Sequence, residues 1–308
     1  MRHNYSEAVI RDKVSIMSPL RYPGSKRRFA SYVTEALRLN DLHPKLLVEP
    51  FAGSASVALQ LLNDGIVDEI ALGERDELLA SFWQSVFFNT DLLAKMVEKS
   101  NVTLERWIEL RESPGQTVLD MAFACLYLNR TSYSGILQAS AGPIGGHRQA
   151  SDYKIGCRFP QERIAERIRN VGSLRDRVRF IACADWQVTI ERALTETSRD
   201  DVFVYLDPPF FGAGPRLYRY AFAQHDHETL CAYLAGLDAH WLLSYDAAEP
   251  IISMYSHNGI SPKNVTLLYS TAASAPREAQ ELVIENLELL PEATRLWRTS
   301  AEWRQAKL

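Results

Sequence analysis

The sequence predicts an α/β fold: a doubly wound, mostly parallel sheet interrupted by a mainly helical insertion. Three observations carry that prediction. Apolar runs of strand length alternate with amphipathic stretches of helical period at both ends of the chain. Several of those runs stop at a glycine or an acid, as buried strands do at the ligand-binding edge of an open sheet. Between the two ends lies a long helical pattern followed by a loop rich in Gly and Ser.

Leu46 to Phe51 is a short apolar run ending near Gly53, a buried strand by pattern, and Ser54 to Asn63 follows as an amphipathic helix closed by Asp64-Gly65. Val67 to Glu74 reads as the next strand and Asp76 to Phe88 as the next helix. Further on, Val178 to Cys183, Val202 to Asp207 and Trp241 to Asp246 read as strands, with a helix at His225 to Leu237. Val265 to Ser270 and Glu281 to Asn286 look like a closing strand pair. Thr90 to Asn129 is helical in pattern, and Arg130 to Phe159 is polar and Gly-rich. A loop of that length inside a compact domain usually carries function. The expected division is a catalytic domain of residues 1–89 and 176–308, with residues 90–175 as an insertion for target recognition.

Composition sets outer limits. With 308 residues, 46% apolar and 23% charged, the chain has the makings of a soluble globular domain with a real core. No apolar run has the length of a membrane span, and Met1 to Met17 is too polar for a secretory signal, so no membrane partner is expected. Cys125, Cys157, Cys183 and Cys231 form no Cys-x-x-Cys pair, so neither a zinc site nor a disulfide framework is expected, and the expected compartment is the cytoplasm. A net charge of −4 weighs mildly against a nucleic-acid partner but leaves room for a local basic face among 34 Lys and Arg.

Asp207-Pro208-Pro209-Phe210 is the strongest chemical signal, because it follows the apolar run Val202 to Leu206 and so places a carboxylate at the carboxyl edge of the sheet. A ring-conjugated amino group such as that of adenine is a poor nucleophile. A carboxylate and a backbone carbonyl that accept its hydrogens draw the nitrogen toward tetrahedral and aim its lone pair at an electrophilic methyl. Proline stiffens the turn and offers a carbonyl without a competing N–H. An aromatic ring can stack on an extruded base. The alternative is a Pro-Pro turn with an incidental Asp. Glu49 to Ser56, with Phe51 and Gly53, is a strand, turn and helix start of the kind that approaches a nucleotide cofactor, although Ala55 stands where a second glycine might be expected. Glu74 ends the next strand, where an acid can accept from ribose hydroxyls. Tyr22 and Lys26 lie in Pro19-Leu-Arg-Tyr-Pro-Gly-Ser-Lys26, just before a helix: Tyr22 can pack on a cofactor and Lys26 can meet a carboxylate. Each of these segments, taken alone, can also be a plain surface turn.

In this order the motifs resemble those of the Dam-like adenine-specific DNA methyltransferases, which have the alpha-type motif order, over most of the chain from about Pro19 to about Asn286. Arg21 to Lys26 is similar to the family's N-terminal cofactor motif, and Glu49 to Val57 to its Phe-x-Gly loop. Glu74-Arg-Asp76 with Phe82-Trp83 is similar to the ribose-binding motif. Leu128-Asn-Arg-Thr-Ser-Tyr-Ser-Gly135 is similar to the segment that opens the DNA-contacting loop, and Asp185-Trp186 to the pair beside the cofactor adenine. Asp207 to Phe210 is similar to the catalytic motif, and Phe222 to Leu230, with His227, to the helix after it. The resemblance implies a Rossmann-like methyltransferase sheet and S-adenosylmethionine as cofactor, held by Tyr22, Lys26, Phe51, Gly53, Glu74, Asp185 and Trp186. It also implies catalysis by Asp207, Pro208, Pro209 and Phe210 on an adenine flipped out of duplex DNA. No metal is implied, since the sulfonium is already activated. Asn129, Arg130, His147, Arg148, Lys154 and Arg158 are the candidate DNA contacts, and a cognate restriction endonuclease is a further partner such enzymes can have. Phe210 stands where the family more often has Tyr, Glu74 where Asp and Asp76 where Asn are usual, and Ser140 to Gly146 departs enough that no recognition sequence carries over. An RNA adenine or a protein glutamine as acceptor, or a non-catalytic DNA-binding regulator on the same scaffold, are the alternative functions.

Overall fold

A computed structural model of the chain describes residues 16–21, 26–269, 277–292 and 294–296. Seven strands form one sheet in the order β3-β2-β1-β4-β5-β7-β6. They are β1 (Leu46–Glu49), β2 (Glu69–Glu74), β3 (Val178–Cys183), β4 (Val202–Leu206), β5 (His240–Asp246), β6 (Lys263–Tyr269) and β7 (Arg277–Glu285). The first five run parallel, and β7 pairs antiparallel with both β5 and β6. The sheet is the expected Rossmann-like α/β fold, with the expected closing pair. β1 is shorter than its apolar run because Pro50 has no N–H to continue the ladder.

Side-chain alternation sorts each central strand between two layers. Leu47, Leu72, Phe203, Tyr205 and Leu242 join one buried cluster, while Val48, Ala71, Val204, Leu206 and Leu243 join the other. Buried on both faces, these strands are nearly continuous apolar runs. The first layer holds α1 (Phe29–Leu39), α2 (Ser56–Asp64) and α3 (Glu77–Phe88), together with α4 (Thr90–Glu98), α5 (Leu104–Glu112), α6 (Val118–Thr131) and α7 (Gln161–Gly172). α8 (Trp186–Glu196) and, after the four-residue α9 (Gly214–Leu217), α10 (Gln224–Ala235) and α11 (Glu249–His257) pack on the other face. Caps explain several starts: Asp76, Thr103 and Thr117 accept from the amides of Leu78, Arg106 and Asp120.

Residues 90–175 contribute their apolar faces to the first layer's cluster: Ala122 to Leu128 of α6 and Ile164, Ala165 and Ile168 of α7 are buried in it. The stretch after α6 is loop, as the composition suggests, pinned by an antiparallel bridge between Ser132 and Pro143 and by a short 3-10 turn at Ile155–Arg158. α1 follows Lys26, where a helix is expected, whereas α8 and α11 are helices that the sequence analysis does not name. No helix among the described residues is long and apolar enough to cross a membrane.

Candidate active site

The chain leaves β1 toward one edge of the sheet and β4 toward the other, so a crevice opens at the carboxyl ends of these neighbouring strands. The cleft there is lined by Lys26, Phe51, Gly53, Glu74, Asp185, Trp186, Asp207 and Pro209, which come from four separate strand ends and the N-terminal segment. Eight of the eleven cofactor and catalytic candidates therefore converge on one space. Pro208 is buried behind the turn, and Phe210 stands half-buried beside it. Tyr22 lies outside the described residues.

The turn after β1 is held by two carboxylates. Glu49, 4% exposed, accepts from the Ala58 amide at 3.0 Å. It thereby caps α2, whose preceding residue Ala55 has no capping side chain. Burial raises the Glu49 carboxyl well above its ordinary value, with Asp207 and Glu74 adding to the effect. Ala55 itself is left-handed, at φ 47°, a conformation that explains why the pattern suggests a glycine there. Glu74 spans the neighbouring strand end: one oxygen accepts from Gly53 N and the other from Asp76 N, both at 3.0 Å. Burial, reinforced by Asp76, pushes Glu74 up to about 7.

Asp207 follows β4 directly. Its Oδ1 receives the Lys26 ammonium at 2.9 Å and the Ser244 hydroxyl at 3.0 Å. Both contacts fall on one oxygen of a carboxylate that lines the cleft. Lys26 also pairs with Glu281 of β7 at 2.7 Å, and its Nζ stands 5.0 Å from the centre of the Phe210 ring. Burial pulls the ammonium down, but Asp207 and Glu281 outweigh it, and Lys26 lies above its ordinary value. The turn beyond is fixed from β5, where Asp246 accepts from the amides of Phe211 and Gly212 at 2.8 and 3.2 Å. His227 sits 2% exposed among Phe211, Phe222 and Tyr245, with Nδ1 against the Tyr245 hydroxyl. Burial lowers its pKa, and it serves as packing beneath the turn.

Asp185 caps α8 and faces Arg75 at 3.7 Å, and Trp186 packs edge-on against Tyr233 at 5.0 Å between ring centres. Sequence reasoning missed the cover of the cleft. Leu217, Tyr218, Arg219, Tyr220 and Phe222, between β4 and α10, all line it. Arg219 reaches across to Asp76 at 2.7 Å and Glu77 at 2.8 Å, and the Tyr220 hydroxyl donates to Glu77 at 2.8 Å. Phe222 meets Phe51 edge-on at 5.6 Å. The only signal in the sequence was a cluster of aromatics and arginines after the Pro-Pro turn.

The candidate DNA contacts divide. His147, Arg148, Lys154 and Arg158 are exposed on the loop. His147 packs edge-on against Trp107, and Lys154 donates to the Gln149 carbonyl at 2.7 Å. Asn129 and Arg130 belong to α6, inside the protein, and not to the exposed loop. Asn129 is fully buried, and its amide is spent on backbone: it accepts from Arg21 N and donates to the Arg21 and Gly135 carbonyls at 2.7 to 2.8 Å. It is a brace between the N-terminal segment and the cleft wall. Gly135 is needed there, since at φ 77° a Cβ would come 2.4 Å from the Arg21 carbonyl oxygen. Arg130 is 7% exposed and donates a long 3.5 Å bond to the Pro19 carbonyl.

The family model of the D12 class N6 adenine-specific DNA methyltransferases matches residues 22–270, which include every cofactor and catalytic candidate. No curated protein matches the chain.

Proposed function

Since the chain belongs to the D12 class N6 adenine-specific DNA methyltransferase family, we propose that it uses S-adenosylmethionine to methylate an adenine flipped out of duplex DNA into the cleft beside Asp207. The observation that supports this reading best is the convergence on one cleft of Asp207 with the loop after β1, the acid ending β2 and the cap of α8.

The residues fit the cofactor. Glu74 uses one acceptor site on each oxygen for backbone amides, and an ionised carboxylate has about four such sites, so it retains places for ribose hydroxyls. Phe51 and Trp186 offer apolar surface, and Asp185 a further acceptor. When bound, S-adenosylmethionine supplies a methyl group made electrophilic by its sulfonium. Tyr22 stays in the proposed set by resemblance to the family's motif.

The adenine amino group donates one hydrogen to the free oxygen of Asp207 and the other to the Pro208 carbonyl. Lys26 and Ser244 hold the carboxylate in one orientation, so no reorganisation is needed as positive charge grows on the nitrogen. Phe210 offers a ring face for the base while Lys26 occupies the opposite side, and Pro209 fixes the turn. The nitrogen lone pair would form the new N–C bond as the donor's methyl–sulfur bond breaks and leaves a neutral thioether, and an amino proton would then pass by way of Asp207 to solvent. Arg219 and Tyr220 close the cleft against water by latching onto Asp76 and Glu77. Residues 90–175 bring the target in, with His147, Arg148, Lys154 and Arg158 meeting DNA; a cytoplasmic enzyme with or without a cognate endonuclease is consistent with this.

The test is tritium transfer from labelled cofactor to duplex DNA. Asp207→Ala is expected to lose about 100- to 1000-fold in turnover while binding cofactor and DNA, because its hydrogen bond strengthens toward the transition state. Near wild-type turnover in that variant would end the assignment.

A further inference from the structure

Outside the catalytic cleft lies a second opening of about 270 Å³ between the end of α6, the Cys157–Arg158 turn and the first turns of α7. Four of its seven lining residues are arginines: Arg130, Arg158, Arg163 and Arg167. Arg163 and Arg167 sit one helical turn apart on α7, so their side chains leave the same face. We propose that this cleft seats a backbone phosphate of the DNA strand that delivers the target base, gripped by those four guanidiniums with Arg21 behind them; the proposal rests on the DNA reading above.

The charges are unbalanced where other arginines are not. Arg169 of the same helix pairs with Glu98 at 2.6 Å, and Arg219 with Asp76. Among the described residues no carboxylate pairs with Arg21, Arg130, Arg158, Arg163 or Arg167. Glu162 and Glu166 of α7 do not line the cleft. Arg130 is 93% buried by its 7% exposure, its Nε has no hydrogen-bond partner, and Nη1 of Arg21 is likewise buried and unpartnered. Burial and then the neighbouring guanidiniums of Arg21, Arg167, Arg158 and Arg163 push Arg130 down to about 10. Buried donors without acceptors are costly and uncommon. Several planar forks around one point match a tetrahedral oxyanion.

Position argues for DNA as the source of that oxyanion. The Pro19–Arg21 segment is a shared wall: Arg130 donates to Pro19 on one side, while Asn129 ties Arg21 to Gly135, which lines the catalytic cleft on the other. Arg158 also ends the exposed loop that carries His147, Arg148 and Lys154. A strand entering the catalytic cleft along that loop brings its phosphates past the arginines. The concentration stands out in a chain whose net charge is −4.

The experiment compares the wild-type chain with Arg163→Ala/Arg167→Ala, whose side chains lie at the surface, and with Arg130→Lys, which keeps the charge but loses the fork. Binding of a labelled mixed-sequence duplex is followed by fluorescence anisotropy across a salt series, alongside cofactor titration and thermal melting. The double variant should lower the slope of log K against log salt by about 0.9 for each phosphate it no longer neutralises, and weaken DNA binding roughly tenfold at about 0.1 M salt. It should raise KM for DNA with kcat and cofactor affinity preserved. Arg130→Lys should weaken DNA binding with its slope nearly kept. An unchanged slope and affinity in the double variant would overturn the proposal. So would stabilisation of the wild type by inorganic phosphate that the double variant loses without any change in DNA binding, since that marks a site for a free anion. A wild-type chain that binds duplex with the steeper slope yet transfers no methyl would sink the enzymatic reading and leave the phosphate cleft standing.

Discussion

Lys26→Met removes the cation that joins the Asp207 carboxylate, after β4, to Glu281 of β7. Lys26 is 4% exposed, with Asp207 at 2.9 Å and Glu281 at 2.7 Å. At an effective dielectric constant of about 20, each contact is worth about 6 kcal/mol of gross attraction. Removing the ions from water costs several kcal/mol apiece, so most of that gross figure is already offset. What the variant leaves is different: the largely buried carboxylates of Asp207 and Glu281 deprived of the cation they share. Breaking a buried pair in this way costs about 3–5 kcal/mol, and urea unfolding should show a loss in that range. Because Lys26 is raised above its ordinary 10.5, its contribution is fully present below that value and is lost only as pH climbs through the still higher folded-state value. The deficit of the variant should therefore hold from neutral pH to about 10 and close above it. Glu281→Gln in the same chain should recover part of the loss, with a coupling energy of about 1–3 kcal/mol in the double-mutant cycle. A cost under about 1 kcal/mol, or a cycle that is simply additive, would refute the reasoning. Turnover should fall more than cofactor affinity, since Asp207 loses its orienting partner.

Further outcomes follow from three residues of the site, Glu74, Arg219 and Phe210. Glu74→Ala should weaken S-adenosylmethionine binding by about 1–3 kcal/mol in calorimetry without unfolding the chain. Glu74 is pushed up to about 7, so in the wild type cofactor affinity should rise as pH climbs to about 7 and level off above it, while Glu74→Gln should be flat. The same shift predicts that the free protein loses stability between its ordinary 4.5 and about 7, because there the folded state holds the extra proton; an opposite slope at this site, judged against the Gln variant, would contradict it. Arg219→Ala should raise cofactor off-rates in stopped-flow by freeing the 217–222 segment, and unchanged release would mean that the segment is not a cover. Phe210→Tyr should be mild and Phe210→Ala severe in methyl transfer, since only the second loses the stacking face.

The sequence by itself determined what is written in local chemistry. Two-sided burial forces β1, β2, β4 and β5 into apolar runs, so the parallel sheet, its order of appearance and the acid or glycine at each strand end were legible. Asp207, Glu74 and Gly53 could be read from strand ends, which on one edge of a parallel sheet meet at its crevice, while Asp185 came only from the resemblance to the family's motif. Tertiary structure decided whatever depends on partners distant in the chain. Asn129 reads as a polar residue at the mouth of a loop, yet α6 extends two residues beyond it and turns its amide inward onto Arg21 and Gly135. The Lys26–Glu281 pair spans 255 positions, and no local pattern carries a contact at that separation. Arg219 and Tyr220 likewise became cover residues only because the segment after the Pro-Pro turn folds back over Asp76 and Glu77. The arginine cleft was hidden for the same reason: its guanidiniums come from three separate segments, and charge in a sequence declares its sign but not its neighbours, which only the folding of the end of α6, the Cys157–Arg158 turn and α7 around one opening supplies.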